Sequence, residues 1–223
     1  MRTWSIERLG AVAGVLFIVF TVVGDALAGS PPGTDEPAIK IAHFFATNHR
    51  DVVIGAVLTS IAAPLFALLL AALALRIRGL GQAGPAVAIF GAGIVGLTLG
   101  AAADALTGTL GRIAPTADPR TVQSLYQLDG FLTARSLWFA AAAVLLTAWA
   151  AWGLLPQWYP VASLVEGVLL VLGGVALKTT GFFSPLGGMT LIAFLGLLLW
   201  TLATAWIIWT GAQAEGQAAA VTA

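Results

Sequence analysis

The chain has 223 residues, of which 59% are hydrophobic and only 9% are charged, with ten basic and ten acidic side chains. Soluble domains carry about 25% charged residues, so this composition excludes an ordinary soluble domain. The absence of net charge argues against a nucleic-acid partner, and the absence of cysteine excludes disulfides, thiolate metal sites and iron–sulfur clusters.

Six apolar runs predict membrane spans, because a helix needs about 20 residues to cross a hydrocarbon layer of about 30 Å. The runs are Leu9–Ala28, Val52–Leu75, Ala86–Leu106, Phe131–Leu155, Val161–Leu177 and Met189–Thr210. They predict an all-α polytopic membrane protein with one six-helix transmembrane domain over residues 1–210 and a disordered cytoplasmic tail over residues 211–223. The first run has the basic start and small-residue end of a secretory signal, but it fills a whole span, so we expect it to be retained.

Two long loops on one side each begin with an acidic residue followed by proline, which is typical of a helix start. In the first loop, Asp35–Arg50, Ile41 and Phe45 share one face while Lys40 and His43 share the other. This pattern predicts an interfacial helix packed over the outer mouth of the bundle. The second loop predicts a short helix, Arg120–Leu128, ahead of the fourth span.

A polar centre is predicted around Arg135, about one turn inside the fourth span. A guanidinium at that depth costs roughly 2.5–3.5 kcal/mol unless it is paired or reaches water. Asp25, Asp104 and Asp129 lie near the ends of apolar runs on the same side. We expect an ion pair between Arg135 and at least one of them, Asp104 first and Asp25 second, that ties spans one, three and four together.

Two further residues stand out inside the apolar runs. Glu166 is a lone acid in the fifth span. It is either a functional intramembrane acid or a protonated or water-reached acid bonded to a tryptophan N–H or to a threonine such as Thr201 or Thr204. Pro64 predicts a kink in the second span, where Thr59 and a neighbouring serine can absorb freed polar groups.

The spacing of Gly10 with Gly14, and of Gly96 with Gly100, predicts close helix packing within the chain.

Topology follows from basic and aromatic residues. Arg76 and Arg78 lie in a short loop on the side that also carries most of the tryptophans. Because basic residues favour the cytoplasmic side, we expect a multi-pass protein of the cell membrane with both termini in the cytoplasm.

No catalytic residue, cofactor or metal is predicted. His43 and His49, the two histidines, are six residues apart and point in different directions, which does not suit a metal site or paired haem ligation. Phosphate-binding loops and nucleophile elbows are absent from the sequence.

Three functional interpretations stay open. The first is a non-enzymatic structural or accessory membrane subunit, whose charges hold helices together. The second is binding or transport of a small molecule or lipid at the polar centre of Asp25, Asp104, Asp129 and Arg135. The third is an intramembrane enzyme that uses Asp25 and Asp104 as an acid pair on a lipid head group. Membrane lipids are the expected partners, with a protein partner or a homo-oligomer left open.

Three short motifs carry a family resemblance: Arg8-Leu-Gly-Ala-Val-Ala-Gly14, Phe44-Phe-Ala-Thr-Asn-His-Arg50 and Leu155-Pro-Gln-Trp158. Together with the order of the spans, they resemble the six-span bacterial membrane proteins grouped as domain-of-unknown-function family 4386. The resemblance covers nearly the whole chain. It implies a six-helix bacterial membrane protein and supplies no activity and no catalytic residues.

Overall fold

The computed structural model describes residues 5–175 and 181–221, with side chains through residue 211. Within these residues the chain forms seven α-helices and no strand. The helices are α1 Ile6–Ala28, α2 Ala38–Thr47, α3 His49–Gly79, α4 Ala83–Ile113, α5 Pro119–Ala151, α6 Trp158–Gly174 and α7 Gly188–Val221. Five of the described helices (α1, α3, α4, α5 and the part of α7 up to Gly211) are long and apolar enough to cross a membrane. The predicted all-α, multi-pass architecture is confirmed at this level.

The predicted fifth span differs from the others in length. It is represented by α6, which has 17 residues and begins at Trp158 rather than Val161. At 1.5 Å per residue, α6 is about 26 Å long, slightly less than the hydrocarbon thickness. The described helices therefore include five clear spans rather than six.

Two predicted boundaries are replaced by continuous helices. The predicted short helix Arg120–Leu128 and the fourth span form one helix, α5, of 33 residues. Asp118 begins it by accepting hydrogen bonds from the backbone N–H groups of the second and third helical residues. At the other end of the chain, α7 continues to Val221 through most of the segment predicted as a disordered tail. Alanine and glutamine, which are frequent there, are strong helix formers.

The long helices form a closed ring. Each of α1, α3, α4, α5, α6 and α7 packs against the next one along the chain, and α7 returns to pack against α1. Glycines allow several of these close approaches: Gly10 lies against Ala72 of α3, and Gly24 lies against Gly55. The predicted intrachain role of Gly10 is thus observed. Because the ring closes, the inward faces of its helices surround a common space.

The two glycines of the third predicted span behave differently. A Cβ at Gly96 would lie 3.0 Å from the carbonyl oxygen of Ser136, so α4 and α5 are in backbone contact there. A Cβ at Gly100 would have no atom within 4 Å apart from its own helix. Of the two glycines in the predicted packing motif, Gly96 therefore makes a close helix contact and Gly100 faces open space.

The helix predicted from the first long loop is present as α2. Ile41 and Phe45 are fully buried, while Lys40 and His43 are exposed, as the sequence pattern predicts. The helix ends at Thr47, earlier than predicted, and α3 follows almost at once. Since α2 packs against α5, α4 and α3, it covers one end of the ring, which we call the α2 end.

The loop between α1 and α2 is fastened to the same end. Three side chains of α5 donate hydrogen bonds to its carbonyl oxygens: the Tyr126 hydroxyl to Pro32 (2.9 Å), the Gln127 amide to Thr34 (3.3 Å) and the Gln123 amide to Glu36 (3.0 Å). The loop and α2 together form a roof over the ring.

Helix α3 continues through Pro64 without a break. The hydroxyls of Thr59 and Ser60 donate to the carbonyl oxygen of Ala56, at 3.1 and 2.7 Å, rather than to the carbonyl that Pro64 leaves without a donor. The kink at Pro64 stays a prediction.

Candidate functional site

A cavity of about 660 Å³ lies inside the ring. Residues of α1, α3, α4, α5 and α7 form its wall, and Phe45 together with the loop after α1 forms its roof. None of the described α6 residues lines it. Its volume is in the range of small-molecule sites, which is about 300–1,000 Å³.

The three predicted carboxylates all line this cavity. Asp25 is exposed, Asp104 is half-buried and Asp129 is 6% exposed. Asp104 lies close enough to both of the others for their charges to repel one another. Three of the four residues of the predicted polar centre therefore line one cavity.

Hydroxyl groups lie beside two of the acids. Thr107 on α4 donates a hydrogen bond of 3.2 Å to the Asp129 carboxylate. The Thr59 hydroxyl on α3 lies near Asp104, and it donates its proton to the carbonyl oxygen of Ala56 at 3.1 Å. Neither hydroxyl adds positive charge. Among the described residues that line the cavity, none is basic.

Arg135 is placed differently from the prediction. Its guanidinium lies over the rings of Phe131 and Trp138, with 4.5 and 4.2 Å to their centroids, and donates a hydrogen bond of 3.4 Å to the carbonyl oxygen of Gly174 at the end of α6. A salt bridge between described side chains joins Lys40 to Glu36 on the surface, and none is found between Arg135 and a cavity acid. The predicted ion pair between Arg135 and a cavity acid is therefore wrong.

Helix geometry explains the error. At about 100° per residue, the six positions from Asp129 to Arg135 turn the side chain by roughly 240°, so one faces the cavity and the other faces α6. Phe131 and Trp138 lie four residues before and three residues after Arg135, which puts all three side chains on one face of the helix. Two aromatic faces and the negative end of a helix stabilise the cation without a carboxylate. This aromatic spacing was visible in the sequence.

Deeper in the ring the cavity becomes apolar. Phe17 and Phe66 face each other across α1 and α3, with ring centroids 4.7 Å apart, and both line the cavity. Leu197 and Trp200 of α7 line it as well. The cavity therefore has carboxylates near the α2 end and an aromatic and aliphatic floor.

Thr21 is a site residue that the sequence reasoning missed. Its side chain lines the cavity at 5% exposure, and its hydroxyl has no hydrogen-bond partner among the described residues. A buried hydroxyl without a partner costs about 1–3 kcal/mol, so this group is suited to bond an occupant of the cavity. Thr21 lies one helical turn before Asp25, and Thr133 lies one turn after Asp129, so each threonine shares a helix face with a cavity acid. This spacing was the signal available in the sequence.

The cavity acids do not form a metal site. No group of three acidic or histidine side chains in the part of the chain with described side chains has the spacing to hold a metal ion.

Glu166 lies outside the cavity, between α6 and α7. Its predicted partners are engaged elsewhere: the Trp200 indole donates to Ser163 (2.9 Å), Thr204 bonds to the hydroxyl of Tyr159 (2.9 Å) and Thr201 donates to the carbonyl oxygen of Leu197 (2.8 Å). The described residues therefore show no hydrogen bond between Glu166 and these groups, and its interpretation as a protonated or water-reached acid stays a prediction.

Comparison with known proteins leaves the family open. No family profile matches the chain, and no curated protein and no solved structure shows a significant match. The resemblance to domain-of-unknown-function family 4386 stays a prediction.

A double-mutant cycle checks the position of Arg135. We expect Arg135→Met and Asp104→Asn to change the free energy of unfolding additively, with a coupling below about 0.5 kcal/mol, because the two side chains make no ion pair. Arg135→Met and Trp138→Leu should instead be coupled by about 0.5–2 kcal/mol through the cation–π contact. Unfolding curves in one detergent measure both couplings. A coupling of about 3 kcal/mol or more between Arg135 and Asp104 would instead show that the two side chains form an ion pair.

Proposed function

We propose that this membrane protein binds a small amphipathic organic cation in the central cavity, as a binding protein or a transporter. The observation that carries the proposal is that Asp25, Asp104 and Asp129 face one cavity with no basic residue in its described lining. An unbalanced group of carboxylates attracts positive charge, and the aromatic floor around Phe66 and Trp200 suits the apolar body of such a ligand.

The alternative of a purely structural centre is less well supported. A structural centre of ionised groups needs charges that neutralise one another, because a buried charge without a partner destabilises the fold. Here Arg135 is held by aromatic rings and a carbonyl group, so it does not neutralise the three acids. No observation beyond the acids themselves supports the interpretation as an intramembrane enzyme.

The proposal includes six membrane crossings, with α6 as the fifth. Antiparallel contacts support it: Thr190 at the start of α7 bonds to Gly173 near the end of α6, while Thr204, further along α7, bonds to Tyr159 near the start of α6. Because α6 runs beside α5 and α7 over its whole length of about 26 Å, it would cross most of the bilayer. Both termini would then lie on one side, which we take as the cytoplasmic side of a bacterial cell membrane, and the roof would face outward.

The first test is ligand binding. We expect tetraphenylphosphonium to bind the protein in lipid nanodiscs, and tetraphenylborate, an anion of the same shape, not to bind. Asp129→Asn and Asp104→Asn should each weaken binding by about tenfold, which corresponds to about 1.4 kcal/mol. Asp51→Asn is the matched control, because Asp51 is exposed and outside the cavity lining. Equilibrium dialysis measures the affinities.

Two results would contradict the proposal. One is equal binding of both probe ions, which would show that the cavity does not select charge. The other is an equal loss of affinity in Asp51→Asn and in the cavity variants, which would show that surface charge rather than the cavity controls binding.

The second test concerns α6. The sequence lacks cysteine, so single cysteines can be introduced without background. In intact cells, an impermeant thiol reagent should label Ser184→Cys, after α6, and Thr116→Cys, in the loop before α5. It should not label Gln157→Cys or Ala83→Cys until the membrane is opened. Equal labelling of the positions before and after α6 would show that α6 does not cross the membrane.

A further inference from the structure

A second acidic group lies in the ring, separate from the cavity. Glu166 is at the midpoint of α6, eight residues from Trp158 and eight from Gly174. It is 5% exposed, and its Oε1 atom has no hydrogen-bond partner among the described residues. An ionisable group at this depth is costly unless it is neutral or balanced, and such residues commonly mark functional sites in membrane proteins.

The opposite helix leaves room for this carboxyl group. Gly196 of α7 faces Glu166, and a Cβ at that position would overlap the carboxyl oxygen Oε2. The contact joins two helices whose other polar groups on this face are already paired: Tyr159 with Thr204, and Ser163 with Trp200. Glu166 is therefore the third polar side chain of a stripe on α6, and the one without a partner on α7.

Among the described residues packed around it, no positive charge is available to balance an ionised Glu166. Helix α6 packs against α5 and α7. Between residues 188 and 211, α7 carries no charged side chain, and α5 carries none between residues 136 and 151. On α6 itself, Tyr159 is the other titratable side chain, and its hydroxyl bonds to Thr204. The nearest charge on α5, that of Arg135, lies at the level of Gly174, about 12 Å along α6 from Glu166.

The described surroundings are also a poor site for a metal cation, since no group of three metal-binding side chains forms among them. Hard cations take about six oxygen ligands, and Glu166 supplies two. The neighbouring hydroxyls of Ser163, Thr201 and Thr204 each make a hydrogen bond to another group. A proton needs one oxygen atom and no further ligand.

We propose that Glu166 is an intramembrane proton-binding site, a carboxyl group held in its neutral acid form between α6 and α7 in the folded protein. Release of the proton would leave an unbalanced charge against Gly196, so the ionised form requires α6 and α7 to move apart or water to enter between them. Proton occupancy and the packing of α6 on α7 are therefore linked. The site lies apart from the cation cavity, whose described lining contains no α6 residue.

Infrared spectroscopy with isotope-labelled glutamate tests the site directly. The chain has four glutamates: Glu7, Glu36, Glu166 and Glu215. A variant with Glu7→Gln, Glu36→Gln and Glu215→Gln keeps Glu166 as the single glutamate and leaves the site untouched. After labelling of the glutamate side-chain carboxyl with carbon-13, we expect the carbonyl-stretch band of a neutral carboxylic acid at neutral pH, shifted to lower frequency by the label.

The reverse result is equally clear. If the labelled variant shows the two bands of an ionised carboxylate and no acid band at neutral pH, the proposal is overturned. Circular dichroism of the same sample establishes that the variant is folded. In the wild-type background, Glu166→Gln should remove the acid band and Glu36→Gln should keep it, because Glu36 is paired with Lys40 at the surface.

A second experiment tests the geometry. Gly196→Ala should lower the melting temperature, because the added methyl group meets the Glu166 carboxyl. In a Glu166→Ala background the same change should lower it much less, since the space opposite is then empty. An equal loss in both backgrounds would show that the carboxyl group does not occupy the space beside Gly196, and would contradict the site.

Discussion

A carboxyl group inside an apolar helix bundle must be balanced by a cation, a proton or water, and the polar architecture of this protein follows from that requirement. Three acids, Asp25, Asp104 and Asp129, face a shared cavity that has room for an occupant. Glu166 faces a glycine between two packed helices. We infer that the first arrangement uses an external cation and the second uses a proton, because space is available in one and absent in the other.

The ring of helices creates both environments. Small residues let α1 and α3 approach closely, as at Gly24 and Gly55, while Gly96 brings α4 against α5. The inward faces then carry acidic side chains near the α2 end and aromatic and aliphatic side chains deeper in the ring. Helices α4 and α5 are about 45–50 Å long, so they extend beyond a hydrocarbon layer of about 30 Å. At the α2 end, their extensions provide the surface on which α2 and the preceding loop pack.

The sequence predicted the parts of this fold that depend on run length and composition. The five long spans, the exposed and buried faces of α2 and the grouping of the three acids follow from hydropathy and from the ends of the runs. The direction of a side chain around its helix was harder to predict. Arg135 was assigned to the acids because of its depth, whereas Phe131 and Trp138 turn it toward α6. Glu166 was given partners that bond to other groups, since pairing across α6 and α7 depends on their register.

The central claim is that the cavity carries unbalanced negative charge, and a charge placed inside it measures this most directly. Gly100 lines the cavity one turn from Asp104, and a side chain there meets no neighbouring atom within 4 Å of its Cβ. Gly100→Lys and Gly100→Met add chains of similar length that differ in charge. We predict a higher melting temperature for the lysine variant, by about 2–4 °C for each kcal/mol of added stability. A lysine variant less stable than the methionine variant would contradict the account.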